Sequence, residues 1–383
     1  MLSGQENLDE CLAQVQSFDV LKTGTAKVVL VPKDSRGPRL ISAEPLEFQW
    51  IQQGLGRKLM SHLEHCSMTR GYINFTLQTI NREIALASSA SREYATLDLK
   101  DASDRLSLDL VERIYQGCPD FLSAITATRS TATKLPNGSL VQLRKCSPMG
   151  SAVCFPLQAL TFWLIVVAAR QVLSGLPFND AVRDVYVYGD DIIVPTNEAH
   201  LAMQALEACG LKVNTSKCCI KGFFRESCGM DAFHGTDVTP TRVKTLWTGQ
   251  KRDGTAYVSY VAYFNSFRNK GYERTSELIK EHVELLYGKL PYGTPESSFP
   301  CVQMNDSLLA EVLNLGLGFE NRSNASLQRE EFRVLTVSPK RVETKLDGLQ
   351  RLLRDLTIGV GPNPSEVVVP RSARLKRGWV GVY

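Results

Sequence analysis

The sequence predicts an α+β fold, an antiparallel sheet with helices on one face, laid out along the chain in the order βαββαβ. Three stretches predict it. Residues 184–194 alternate Val185 and Val187 with Tyr186 and Tyr188, turn at Gly189-Asp190, and return through Ile192, Ile193 and Val194 to Pro195. That is the period of two strands joined by a tight turn. Residues 94–99 (YATLDL) read as a strand that ends in a carboxylate, followed by a turn at 100–104 and a helix with Leu106, Leu110 and Ile114 on one face. Beyond the hairpin come a helix through 198–209, with Gly210 at its end, and a short strand at 211–213.

A chain of 383 residues buries a large core and divides into two or three subdomains. Its composition, 43% hydrophobic and 22% charged, is that of a soluble globular protein. The net charge of +4 permits a nucleic-acid partner without demanding one. Ten scattered cysteines show no small-domain disulfide framework and point to a reducing cytoplasm. Cys218, Cys219, Cys228 and His234 lie close in sequence but lack the CxxC pair of a structural zinc site. Residues 1–15 are polar and acidic, without a signal-peptide core. The most apolar run, 153–169, is interrupted by Pro156, Gln158 and Thr161, and falls short of the about 20 residues a membrane span needs. It reads as a buried core helix, and no membrane partner is expected.

In chain order, residues 27–31 form a short apolar strand and Leu40 and Ile41 return as another, closed by Glu44-Pro45. The loop between them carries Lys33, Arg36 and Arg39. Three such cations suit a triphosphate, Arg as a planar fork and Lys as a point charge; a solvated turn is the plainer reading. Residues 46–63 are helical in pattern, and 68–90 contain the polar run Gln78-Thr79-Ile80-Asn81. Residues 118–145 form a connector with an Asn137-Gly138 hairpin turn. The small-residue loop 146–151 lets a backbone approach a ligand closely and leads into the apolar helix. From 245 onward the pattern is helical, with apolar faces at Leu278, Ile279, Val283 and Leu286, and again at Leu346, Leu349, Leu352, Leu353 and Leu356. The terminus mixes Pro362, Pro364 and Pro370 with Arg371, Arg374, Lys376, Arg377 and Trp379, an extended tail that either grips RNA or merely solubilises.

Asp190 and Asp191 are predicted at the hairpin tip, where their charges repel unless a cation neutralises them. Alone they are an acidic turn. Asp98 changes that reading, because a strand end and a hairpin tip meet when the strands are neighbours. Three carboxylates at one point suit two Mg²⁺ ions, with Mn²⁺ as a substitute, about 3.5–4 Å apart, the two-metal arrangement for phosphoryl transfer. One ion would activate a 3′-hydroxyl and the other would hold the triphosphate.

A wider set of residues carries a family resemblance. It comprises Val31-Pro32-Lys33 with Arg39 and Glu44-Pro45, Gln78-Thr79-Ile80-Asn81, and Ala95-Thr96-Leu97-Asp98-Leu99 with Ala102-Ser103-Asp104. Ser147 with Met149-Gly150, Tyr188-Gly189-Asp190-Asp191-Ile192-Ile193, and Asn214-Thr215 with Lys217 follow. Phe224-Arg225-Glu226-Ser227-Cys228-Gly229 and Asp237-Val238-Thr239-Pro240 complete it. In this order, over residues 27–244, the chain resembles the RNA-dependent RNA polymerases of positive-strand RNA viruses, and most closely the replicase subunit of single-stranded RNA bacteriophages.

The resemblance implies a right-hand polymerase, with reduced fingers at 1–90, palm at 91–118, a fingers insertion at 119–145, palm again at 146–244, a helical thumb at 245–360 and a basic tail at 361–383. It implies Asp98 and Asp190 as principal metal ligands with Asp191 in support, and Lys33, Arg36 and Arg39 on the incoming triphosphate. Asp104 would sense the ribose 2′-hydroxyl, aided by Ser147, Gly150 and Ser151; Asp101 is the other candidate for that role. Lys217 is either a general acid toward pyrophosphate or a surface lysine after a strand. Arg225 and Glu226 would shape the floor under the RNA primer end. Ser151 stands where many relatives carry Asn. The segment before Val28 is short for the family, so the fingers are reduced or the reading frame is incomplete.

The implied partners are RNA template and product, NTPs, and host translation factors as further replicase subunits, in the cytoplasm of an infected bacterial cell. A reverse transcriptase shares the hairpin, and a non-catalytic RNA-binding protein on a polymerase fold is the reading from another class. Ala102, Ser103 and Asp104, where a reverse transcriptase carries an aromatic gate, disfavour the first; the complete carboxylate set disfavours the second.

Overall fold

The structure, a computed structural model, describes residues 24–34, 37–246, 253–339 and 373–382, with side chains omitted at 32–34, 339 and 373. It divides into two units, Met1–Thr239 and Pro240–Tyr383.

The first unit opens with β1 (Thr25–Asp34) and β2 (Gly37–Ala43), followed by α1 (Leu46–His65), α2 (Thr79–Ser91) and β3 (Tyr94–Leu97). Three short helices come next, α3 (Ala102–Arg105), α4 (Leu108–Tyr115) and α5 (Pro119–Ala127). The hairpin β4 (Ala132–Lys134) and β5 (Leu140–Gln142) leads to the long α6 (Cys154–Ser174) and a single turn, α7 (Phe178–Ala181). Then come β6 (Tyr186–Tyr188), β7 (Asp191–Pro195), α8 (Ala199–Ala208), β8 (Phe224–Ser227), β9 (Met230–Phe233) and β10 (Thr236–Asp237).

The central sheet has the order β3-β7-β6 and is antiparallel throughout, pairing Leu97 with Ile192 and Tyr188 with Asp191. Apolar burial explains it. Ala95, Leu97, Val185, Val187, Ile192 and Val194 are buried and join one core with Phe162, Trp163, Val166 and Val167 of α6 and Ala199, Ala202 and Leu206 of α8. Each large apolar side chain buried there stabilises the fold by about 1.5–3 kcal/mol, so the face beneath the hairpin, not its acidic turn, holds it in place. The expected strand at 211–213 is reduced to one bridge, Leu99 with Val213, and Thr96 bridges Cys219 farther on. By composition α6 is long and apolar enough to cross a membrane; here thirteen of its residues are buried in the protein.

The helix expected after Asp98 is broken in two. Asp101 takes a left-handed φ of 51°, α3 makes one turn, and Ser107 caps the next helix, its Oγ accepting the Leu110 N–H at 3.1 Å. The Asn137-Gly138 turn is present, with Gly138 at φ 88° between β4 and β5. Gly210, at φ 83°, ends α8 as the sequence predicts. A second sheet has the order β2-β1-β4-β5; Lys33 lies within β1 and Arg39 within β2, so the loop expected to carry the cations is largely strand, and a third sheet, β10-β9-β8, follows the central one in sequence.

The second unit contains α9 (Gly254–Asn269), α10 (Glu273–Tyr287), β11 (Tyr292–Gly293), β12 (Val302–Gln303), α11 (Ser307–Gly316), β13 (Asn321–Asn324), β14 (Arg329–Pro339) and β15 (Ala373–Val380). It is not the purely helical body the periodicity predicts. Asp253 caps α9 and Asp306 caps α11, but β13-β14-β15 form a sheet. The expected tail is in part β15, antiparallel to β14 over eight residue pairs. Leu375 and Val380 pack on two apolar clusters, which is why the basic segment is a strand. On α10, Val283 is buried, whereas Leu278 is 67% exposed and lies off the packed face. The leucine run 346–356 lies outside the described residues.

Candidate active site

Asp98 directly follows β3, and the register of that strand carries it level with Asp191. The pair Leu97–Ile192, extended by one step, faces Asp98 toward the start of β7. The hairpin loop is Gly189-Asp190 alone. Gly189 has φ 65° and Asp190 does not share the positive φ, the pattern of a II′ turn. A Cβ on Gly189 would lie 2.2 Å from the Phe155 ring, so the tip is pressed onto α6. Tyr188 packs edge-on against the same ring, with centroids 5.3 Å apart.

Asp190 is exposed at the tip. Even so, the protein packed beneath it pushes its carboxyl above the usual range, and the charge of Asp98 pushes the same way, while Arg39 and Lys217 pull it down. Asp98, Asp190, Arg39 and Lys217 therefore share one electrostatic neighbourhood. Asp191 belongs to the first position of β7, not to the loop. Its Oδ2 accepts the N–H of Cys228 at 3.1 Å, in the turn between β8 and β9. Burial first, and then the charge of Asp190, raise its carboxyl to about 7.

Asp98 is the most firmly held of the three. Asn214 Nδ2 donates to its Oδ2 at 2.5 Å, and Asn214 N–H donates to its carbonyl at 2.9 Å. Lys217 Nζ stands 3.8 Å from the same Oδ2. The turn 214–217 is closed by Lys217 N–H donating to Asn214 O at 2.9 Å, so one turn delivers both the amide and the ammonium. The side chain of Asn214 is the functional group that sequence reasoning missed; its i, i+3 spacing from Lys217 is the available signal.

The small-residue loop meets the cationic hairpin through the backbone. Ser42 N–H donates to Met149 O at 2.8 Å, and Gly150, at φ 119°, comes so close that a Cβ would lie 2.2 Å from Ser42 O. Only glycine fits. Ser147 and Ser151 are buried; the Ser147 hydroxyl faces the Cys154 thiol, and the Ser151 Oγ has no partner among the described residues. Asp104 is exposed and paired with Lys145, Nζ to Oδ1 2.5 Å. Lys145 is a second residue the sequence reading passed over. Arg39 is exposed on β2; Arg36 and the side chain of Lys33 lie outside the described residues.

One expectation is corrected. Arg225 is fully buried, and its guanidinium donates to Tyr94 O at 2.6 Å, Gly222 O at 3.1 Å and Phe224 O at 2.8 Å. It is sealed from RNA by burial, with its Nε and Nη1 spent on backbone carbonyls. It ties β8 to β3. Glu226 is partly exposed on the same strand and its charge raises Asp191.

Among the described residues no three His, Cys, Asp or Glu groups are gathered closely enough to hold a metal ion. The donor chemistry nevertheless fits a hard divalent cation. The donors are all carboxylate oxygens, and Asp98 raises Asp190 as Asp190 raises Asp191, a repulsion that a cation relieves.

The RNA replicase, beta-chain family matches residues 5–249. The RNA-directed RNA polymerase subunit beta of Qbeta virus (strain MX1) is 34% identical over 238 residues, covering 62% of this chain and 37% of that protein. The corresponding subunit of Enterobacteria phage SP is 37% identical over 218 residues, 57% of this chain and 36% of that protein. The RNA-directed RNA polymerase beta chain of Escherichia phage MS2 is 32% identical over 217 residues, 57% and 37% respectively. The chain thus spans a little over a third of the length of these relatives. With a family match across more than half its length, this chain belongs to the RNA replicase beta-chain family.

Proposed function

We propose that this chain is the catalytic part of an RNA-directed RNA polymerase that copies a phage RNA genome, adding NTPs to an RNA 3′-hydroxyl and releasing pyrophosphate. The observation that carries the proposal is the meeting of Asp98 and Asp190 with Lys217 and Arg39 in one neighbourhood, in a chain of the replicase family. The fold supports the palm of a right-hand polymerase, its sheet β3-β7-β6 presenting the carboxylates. Two Mg²⁺ ions, with Mn²⁺ as a substitute, would be held by Asp98, Asp190 and Asp191 and would supply Lewis-acid activation of the 3′-hydroxyl and neutralise the triphosphate.

The protein's own groups do the rest. Asn214 fixes the Asp98 carboxylate against rotation. Arg39 on β2, with Lys33 near the end of β1 and Arg36 between the two strands in sequence, draws the triphosphate. Lys217 stands where it can give its proton to the leaving pyrophosphate. Gly150 lets the 146–151 loop close beside the nucleotide, and Asp104 receives the ribose hydroxyl. RNA template and product are the macromolecular partners, host translation factors are further subunits, and the setting is the cytoplasm of an infected bacterium.

The test is synthesis on a defined RNA with NTPs and Mg²⁺, with and without a bacterial extract. RNA product from NTPs and not from dNTPs is the expected result, and Asp190→Asn abolishes it while RNA binding persists. Preference for dNTPs would identify a reverse transcriptase. No product in either condition, with RNA binding intact, would identify a binding protein instead.

A further inference from the structure

Residues 144–146 are zipped to 106–108. Cys146 N–H donates to Leu106 O at 2.8 Å, Leu108 N–H to Arg144 O at 2.9 Å, and Ser107 bridges Lys145. Arg129 secures the same segment from its side chain, with Nε 3.0 Å from Cys146 O and Nη2 3.0 Å from Lys145 O. The backbone at Lys145 is therefore fixed, and its side chain reaches Asp104 Oδ1 at 2.5 Å. The lysine is 24% exposed and the aspartate 48%, so the pair opens to solvent on the carboxylate side.

The segment that follows Lys145 carries two buried hydroxyls. Ser147 faces the Cys154 thiol, whereas the Ser151 Oγ is buried and has no partner among the described residues, and buried hydroxyls are rarely left so. The Cys154 thiol links the two features. It sits at Ser147 and is influenced by the charges of both Asp104 and Lys145. An ion pair and two buried hydroxyls, one of them without a partner among the described residues, thus lie on the segments that lead into α6, a chemistry suited to a sugar hydroxyl.

We infer that Lys145 is a specificity-determining residue for the ribose of the incoming nucleotide, holding Asp104 Oδ1 so that Oδ2 is presented to the 2′-hydroxyl. The inference rests on the polymerase reading above. A lone carboxylate rotates freely and repels a triphosphate. Paired with Lys145 it keeps an oriented acceptor and loses most of its net charge. A site built to accept from a hydroxyl rejects the analogue that lacks it.

The test compares the full-length chain with Lys145→Met and Lys145→Arg in single-nucleotide addition on an RNA template. Lys145→Met lowers kcat/KM for ATP on the order of tenfold, the scale of one hydrogen bond to a charged group. The value for 2′-deoxyATP is unchanged, and Lys145→Arg restores most of the ratio. Equal losses for both nucleotides, or an unchanged ratio, would overturn the inference in favour of a structural lysine. A parallel measurement, equilibrium binding of ATP and 2′-deoxyATP without template, separates the two readings. A wild-type protein that synthesises nothing but prefers ATP, and loses that preference in Lys145→Met, would sink the polymerase reading and keep Lys145. Equal binding of both nucleotides by the wild type would overturn the role of Lys145.

Discussion

Asn214 grips Asp98 twice, by its side-chain amide on Oδ2 at 2.5 Å and by its own N–H on the Asp98 carbonyl at 2.9 Å. The side-chain bond orients the carboxylate, and the main-chain bond sets where the 214–217 turn sits. Asn214→Ala removes only the first. RNA synthesis by that variant falls by about 10- to 100-fold, the range for a hydrogen bond to a charged group, while circular dichroism and the thermal midpoint stay near wild type. Full activity in a primer-extension assay would mean that Asp98 needs no such support.

Gly150 and Gly138 form a matched pair for separating strain from collision. Both have positive φ, 119° and 88°, but a Cβ on Gly138 meets nothing within 4 Å whereas one on Gly150 would lie 2.2 Å from Ser42 O. Gly138→Ala therefore bears only backbone strain, about 1–3 kcal/mol. Gly150→Ala bears the strain and the displacement of β2. Thermal melts of the two variants give a larger loss for Gly150→Ala, and nucleotide titrations show a raised KM for that variant alone.

Arg225 sits inside the protein with three carbonyl partners. Arg225→Lys cannot make the same fork and leaves carbonyls unpaired, which costs at least about 1–3 kcal/mol. Denaturant unfolding of the variant shows that loss, while fluorescence anisotropy finds RNA affinity of the folded protein unchanged. A fall in affinity without a fall in stability would restore the RNA-contact role.

Glu64 sets an acid limit on the support beneath the hairpin. Its Oε1 accepts Phe75 N–H at 2.8 Å, Thr76 N–H at 2.8 Å and the Thr76 hydroxyl at 2.9 Å, and the Phe75 ring packs edge-on against Phe155. Burial pushes the carboxyl up, but the three donors outweigh it and the net shift is below the ordinary 4.5. A depressed folded pKa means that this stability is present above the unfolded value and is lost as pH falls through the folded one. The melting temperature therefore drops on acidification below about pH 4.5. Glu64→Gln, measured by the same melts, gives a shallower acid limb; an identical limb would place the titrating group elsewhere.

The hairpin at 184–194 and the strand at 94–99 are legible without coordinates, because short β-branched runs bounded by turn residues mark strands even where, as at Thr96 and Ile193, both faces are buried. Asp98 and Asp190 follow from them, since each stands at a strand end or turn that the pattern marks. The turn 214–217 is legible only as a loop with a lysine. Its amide acts on Asp98 across 116 residues of chain, and no local period records such a distance. Arg225 misleads for the same reason. A charged residue beside a turn signal reads as exposed, and only its burial against Tyr94 O turns it inward. The basic terminus reads as a tail because prolines and cations dominate it, yet Leu375 and Val380 are enough to seat it as a strand.

The sequence by itself determined the α+β order, the acidic hairpin and the family, because local periodicity and ordered motifs are written residue by residue. The tertiary structure alone decided which groups face one another: Asn214 with Asp98, Lys145 with Asp104, and Asp191 with the Cys228 N–H. Those pairings depend on packing between segments distant in the chain, where burial and desolvation, not spacing, choose the partner.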